Sequence, residues 1–286
     1  MLKIWAPFFF VLLWSTGFIG AKFGLPYADP ATFLFVRMIF NILMFIVLMA
    51  LLNASYPMGR QAFHAMVSGV LIHAGYLGGV FAAINHGMPT GLSSLIVGTQ
   101  PLLTALLLVI LTAERLKKSQ WIGLVIGVVG VALVVQGKMT WPTYADKTWA
   151  YVFVLSALAG ITLGTLYQKK YCQGIELVGC AFWQYVASAL FLFPLAWTNE
   201  GLAIEWSTTF ILALAWSVVV LSGVAVLLLL YMIRQGAASK VTSVMYLVPP
   251  VTAFQGWLFF DEAFGLTGLL GFMLASLSVY LVMKTA

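Results

Sequence analysis

The sequence predicts an all-α membrane protein whose ten transmembrane helices form two inverted five-helix repeats. Three observations lead there: a composition that only lipid can solvate, ten apolar runs of membrane-spanning length, and an internal echo between the halves of the chain. Of the 286 residues, 63% are hydrophobic and 8% charged, against roughly a quarter charged in a soluble domain. No soluble fold has an interior large enough for that much apolar surface, so the surrounding solvent is a bilayer. The net charge of +6 does not signal a nucleic-acid partner, because the bases are spread thinly over the connections with no aromatic-interleaved patch. Cys172 and Cys180 have no His or Cys partners at zinc-site spacing and read as unpaired apolar fillers, leaving no metal site and no cofactor.

Taken at about 18 to 22 residues each, the spans are expected at 4–24, 32–52, 65–84, 93–111, 119–136, 149–167, 177–197, 209–233, 241–259 and 266–283. The first run is too long for a signal-peptide core and lacks a small-x-small cleavage site, so it is expected to remain as the first span. Short links leave no room for a soluble domain, which puts any function inside the bundle. With an inside N-terminus, the cytoplasmic face carries Lys3, Arg60, Arg115, Lys117, Lys118, Lys169, Lys170, Arg234, Lys240 and Lys284, and the outer face only Lys22, Lys138 and Lys147. That asymmetry sets the orientation, and an even number of spans places both termini in the cytoplasm. The acids fall mostly opposite: Asp29, Asp146, Glu200, Glu205, Asp261 and Glu262 outside, Glu114 and Glu176 inside.

The halves overlay in order. An offset of 149 residues pairs Gly87 with Gly236, Ser94 with Ser243 and Pro101 with Pro250, one residue less pairs Glu114 with Glu262, and an offset of 144 pairs Trp5-Ala6 with Trp149-Ala150 and Gly20 with Gly164. A five-span repeat is odd, so its second copy enters the membrane from the opposite side. The charges agree: the link after the fourth span holds Arg115, Lys117 and Lys118, whereas its counterpart around Asp261 and Glu262 holds no base. The repeats are therefore expected at 1–137 and 148–286, joined by a periplasmic linker at 138–147.

Within this frame Leu13-Trp14-Ser15-Thr16-Gly17-Phe18, the stretch Asp29-Pro30-Ala31-Thr32-Phe33 leading to Arg37, Ser93-Ser94-Leu95, and Gln100-Pro101-Leu102-Leu103-Thr104 resemble the EamA family of ten-span drug/metabolite transporters. Ala113-Glu114-Arg115 and its echo Asp261-Glu262 are similar to the same family. The resemblance covers the whole chain. It implies a multi-pass protein of the bacterial inner membrane that exports small metabolites by alternating access through a central cavity. Amino acids are the expected substrates, and the bilayer and a small solute the expected partners of a monomer or weak oligomer. The resemblance is specific for the family and weak for the substrate, because its members export amino acids and many other metabolites.

Prolines inside spans point to the site. Pro101 and Pro250, with Pro249 beside the latter, fall near the middle of paired spans, where proline lacks an amide and releases the carbonyl four residues back, at Val97, Met245 and Tyr246. In lipid such breaks survive where they face protein or a wet cavity, as at the midplane sites of transporters; a packed kink is the plainer alternative. Gln100 and Tyr246 adjoin the breaks, and Trp14, Ser15 and Thr165 lie at similar depth. Arg37 is the one base well inside a span, with Gln184 in the corresponding region of the second half. His73 and Tyr76 share the third span, with Gly78 and Gly79 as a candidate hinge. These are the expected substrate-binding and gating residues, each weighed against helix packing and back-bonding to its own turn. No carboxylate falls near the middle of a span, unlike the glutamate-dependent four-span multidrug pumps. No zinc-hydrolase, phosphate-loop or nucleophile signature suggests an enzyme. The competing readings are a broad-specificity drug exporter and a non-transporting, lipid-flippase-like subunit.

Overall fold

The computed structural model describes residues 2–112, 117–137, 141–225, 228 and 247–284. Its helices are α1 (Leu2–Gly24), α2 (Pro30–Leu52), α3 (Arg60–Gly69), π1 (Val70–Leu77), α4 (Gly78–Asn85), α5 (Thr90–Gly98), α6 (Gln100–Thr112), α7 (Lys118–Gln136), α8 (Lys147–Tyr171), α9 (Leu177–Glu200), α10 (Thr208–Ala215), π2 (Trp216–Val224), α11 (Val248–Phe260) and α12 (Leu266–Lys284). Among the described residues they follow the ten expected spans in order, and the only β pairing is an isolated bridge between Ala28 and Ile204. Six segments are long and apolar enough to cross a bilayer by themselves; Phe8–Gly24, Thr208–Val224 and Leu266–Leu281 are apolar but shorter. The third span begins earlier than its hydropathy suggests, at Arg60, because the polar first turn of α3 still forms helix.

Helix starts follow local chemistry. Pro30 opens α2 with its fixed φ, Ser207 accepts the Phe210 amide at the start of α10, and the Glu176 carboxylate accepts from Val178 and Gly179 at the start of α9.

The described chain forms two compact units, and each draws helices from both halves of the sequence. The first comprises Met1–Ile19, His86–Tyr151 and Val224–Ala286. Its main helix pair is α7 with α12. A Cβ placed on Gly130 would lie 2.6 Å from the Ala275 nitrogen and 2.8 Å from the Gly271 oxygen, so the two backbones are in direct contact. Small residues make that approach possible where apolar burial gives no drive toward association.

The second unit comprises Gly20–Asn85 and Val152–Gly223 and is organised around α2 and α9, with α3 and π1 against α9. The buried side of α2 is a single stripe of Phe33, Leu34, Arg37, Met38, Asn41 and Phe45 at helical spacing. Phe33 meets Phe81 and Phe210 at ring distances of 5.2 and 5.3 Å, and Phe45 meets Tyr185 at 5.1 Å. The cysteines are free and buried, as expected of apolar fillers, and share a cluster with Ala65, where the Cys172 thiol also reaches the Ser68 hydroxyl at 3.8 Å.

Candidate functional site

Two π-helical stretches mark the second unit. They begin at Val70 and Trp216, 146 residues apart, within the 144–149 offsets at which the halves overlay. A run of π turns is rare, widens the helix and recurs at functional sites. Here it re-aims polar groups. In π2 the Ser222 hydroxyl donates 3.2 Å to the carbonyl of Ser217, five residues back, and Ser222 accepts from Arg37 Nη2 at 3.4 Å. In π1, His73 Nε2 lies 3.4 Å from Gln184 Oε1, and its ring packs on Tyr185 at 4.7 Å. Gln184 Nε2 donates to Ser68 at 3.0 Å, and Ser188 donates to the Gly69 carbonyl at 2.9 Å. Tyr185 lies near Ser222, and Tyr185, Tyr76 and His73 stand within electrostatic reach of Arg37. The structure thus assembles Arg37, His73, Tyr76 and Gln184 into one polar cluster, together with Tyr185, Ser217 and Ser222.

Arg37 is the electrostatic centre of the cluster. It is 7% exposed and eighth in α2, about 10 Å along the helix. The side chain runs inward to Ser222 rather than out to an interface. Among the described residues the titratable groups that face it are the neutral phenols of Tyr76 and Tyr185 and no carboxylate, and its Nε has no partner. A buried guanidinium left this way is costly unless an anion joins it.

Other expected residues are placed differently. Thr165 donates to the Ile161 and Thr162 carbonyls of its own helix at 2.8 and 3.1 Å. Gly79 is a packing contact in which an added Cβ would meet the Phe153 oxygen at 2.6 Å, whereas Gly78, which opens α4, has open space beside it. In the first unit the fourth span breaks at Thr99, so Pro101 is the second residue of α6, where its missing amide has no helical partner to lose. Gln100 is half-buried at the first position. Pro249 and Pro250 likewise stand in the first turn of α11. The two breaks touch: a Cβ on Gly98 would lie 2.7 Å from Pro249 Cγ. Ser15 is fully buried beside them, donating 2.7 Å to the Val11 carbonyl with Val248 O at 3.4 Å, and Trp14 is half-buried with Phe10 at 5.3 Å. Tyr246 lies outside the described residues.

A groove of about 780 Å³ between α11 and α12 includes Pro250 alone of the expected residues. Its rim residues Phe254, Trp257 and Met273 are more than half exposed, as on a lipid-facing side.

The profile of the EamA-like transporter family matches residues 2–136 and 148–284. The chain belongs to this family. As a member it is a membrane transporter, in agreement with the resemblance of its motifs. Family relatives include the uncharacterized transporter YvbV of Bacillus subtilis, 26% identical over 96% of this chain and 89% of that protein. A chloroplastic WAT1-related protein of Arabidopsis thaliana is 25% identical over 97% of this chain and 67% of its own. A Salmonella typhimurium protein named as a probable amino-acid metabolite efflux pump is 25% identical over 57% of this chain and 52% of its own. A solved crystal structure superposes with a TM-score of 0.67 over 98% of this chain and 95% of that one, at 15% identity, a likeness of fold.

Sequence reading passed over Asn41, Tyr185, Ser217 and Ser222. Asn41 had a signal, since an amide one turn from the one base well inside a span shares its face. The serines had none, because their positions depend on π2.

Proposed function

We propose that the chain exports small amphipathic metabolites bearing a carboxylate, amino acids foremost, across the inner membrane by alternating access. In this reading both termini are cytoplasmic, 1–137 and 148–286 are the inverted halves, and 138–147 is their periplasmic linker. Pro101, Pro249 and Pro250 are the points where helices flex, with Gly78 beside π1. Trp14, Ser15, Gln100, Thr165 and Tyr246 offer neutral hydrogen bonding and apolar faces to the solute. The observation that carries the reading is Arg37, buried with a free Nε and no carboxylate among its described neighbours. Such a group favours a solute carboxylate and repels a permanent cation. The name of the Salmonella relative agrees in chemical class.

In proteoliposomes, Arg37→Gln is expected to slow transport of a carboxylate-bearing substrate at least tenfold while sparing its amide analogue. Equal losses, or a wild type that prefers quaternary cations, would replace this reading with a broad-specificity drug exporter. A purified protein inert without a partner would favour the subunit reading.

A further inference from the structure

Asn41 is the least expected side chain in the second unit. It is twelfth of the 23 residues of α2, deep in an apolar span, and fully buried, yet neither its Nδ2 nor its Oδ1 has a partner. Burying an amide with both ends unpaired is unfavourable in any protein interior and more so in lipid, where water does not compensate. Such a group calls for an occupant that the unliganded chain does not supply.

Its surroundings identify the occupant. Asn41 is one turn from Arg37 and one turn from Phe45 on the same stripe. Those flanking residues fix where the stripe faces: Arg37 reaches Ser222 of π2, Phe45 packs on Tyr185, and Met44 lies against Gly223. On π2 the buried Ser217 hydroxyl also has no partner. The cluster therefore presents a positive donor at Arg37 Nε, a donor and an acceptor at Asn41, and a hydroxyl at Ser217. Side chains one turn apart have Cβ atoms about 5–6 Å apart, a separation that the two adjacent charged groups of an α-amino acid bridge. A carboxylate would take Arg37 Nε–H, and the ammonium beside it would donate to Asn41 Oδ1 and Ser217 Oγ. The ammonium needs no protein carboxylate, because its own carboxylate stays next to it.

We propose that Asn41, with Ser217, recognises the amino group of an α-amino acid whose carboxylate is held by Arg37. The proposal rests on the carboxylate reading of Arg37 and adds the group that separates amino acids from simple carboxylic acids. Asn41 is thus the specificity-determining residue, and the Tyr185 and Phe45 rings beside it suit an aliphatic or aromatic side chain.

The test uses the full-length protein in detergent and in liposomes, with L-leucine and isocaproate, which has the same skeleton without the amine. The wild type is expected to bind leucine at least tenfold more tightly than isocaproate. Asn41→Leu should abolish that preference by weakening leucine alone, and Asn41→Asp should shift selectivity toward isoamylamine, which lacks the carboxylate. Asn41→Ser, which keeps one short polar group, provides a folded comparison if the leucine variant is unstable and should retain an intermediate preference. The inference is overturned if the wild type binds the two acids equally or binds neither. It is also overturned if the folded Asn41 variants weaken both alike, which would make Asn41 a packing residue. The parent reading fails separately, when Arg37→Gln leaves carboxylate and amide analogues equally affected.

Discussion

Glu262 anchors the start of α5 from a link more than 170 residues downstream. Asp261 ends α11 in the left-handed conformation at φ 54°, which folds Glu262 back so that its amide donates 3.3 Å to the Gly256 carbonyl. The buried carboxylate then accepts from the Thr90 amide at 2.9 Å, the Thr90 hydroxyl at 2.8 Å and the Gly91 amide at 3.3 Å. Replacing Glu262 by Gln keeps the size but removes the charge and turns one acceptor oxygen into a donor. One buried N–H is left unpaired, costing about 1–3 kcal/mol, and the favourable charge at the helix start is lost, about 0.3–2 kcal/mol. Together these give about 1–5 kcal/mol, or a fall on the order of 3–15 °C in Tm at about 3 °C per kcal/mol for a chain of this size. Intrinsic tryptophan fluorescence during heating of purified protein in detergent measures it. Gly256→Ala should behave alike, because its added methyl would collide with the Glu262 carboxylate and the Thr90 hydroxyl. The exposed Glu205→Gln is the control and should leave Tm unchanged within about 1 °C. A Glu262→Gln shift no larger than the control's, or a neutral Gly256→Ala, would refute the clamp.

Reporters fused after Lys284 and in the 59–63 connection should both report cytoplasm, and a periplasmic signal from either would remove the inverted ten-span topology. Pro101→Ala and Pro250→Ala should each cut transport in proteoliposomes by more than they cut folded yield, and wild-type rates in both variants would make these prolines inert first-turn residues.

The fold was legible because its signals are local. Run length marked the spans, Pro30 marked the start of α2, and Arg37 stood out as the one base well inside a span. What the sequence concealed depends on pairing across the chain. Nothing in Val70–Leu77 or Trp216–Val224 distinguishes a π turn from an α turn, since both are ordinary apolar stretches, and the convergence of Ser222 with Arg37 follows from that wider turn. The carboxylates illustrate the same limit. Glu200 and Glu262 read only as acids of the outer face, yet Glu200 holds the amides of Ala31 and Thr32, as Glu262 holds those of Thr90 and Gly91. At Thr165 the sequence showed the depth but not that the hydroxyl donates to carbonyls of its own helix, which leaves its oxygen as an acceptor.

The pairing of α7 with α12 sets the order in which this protein can be made. At synthesis rates of about 5–20 residues per second, the ribosome delivers α12 about 7–30 s after α7 has left it. During that interval the glycine face of α7 at Gly127 and Gly130 lacks its packing partner, whose contacts come from Gly271, Ala275 and Ser278. The second unit, by contrast, has all its helices once Gly223 is made. Biogenesis is therefore sequential: a chain arrested before residue 266 would hold the Arg37 and Asn41 cluster in an assembled unit while the other still awaited its last helix.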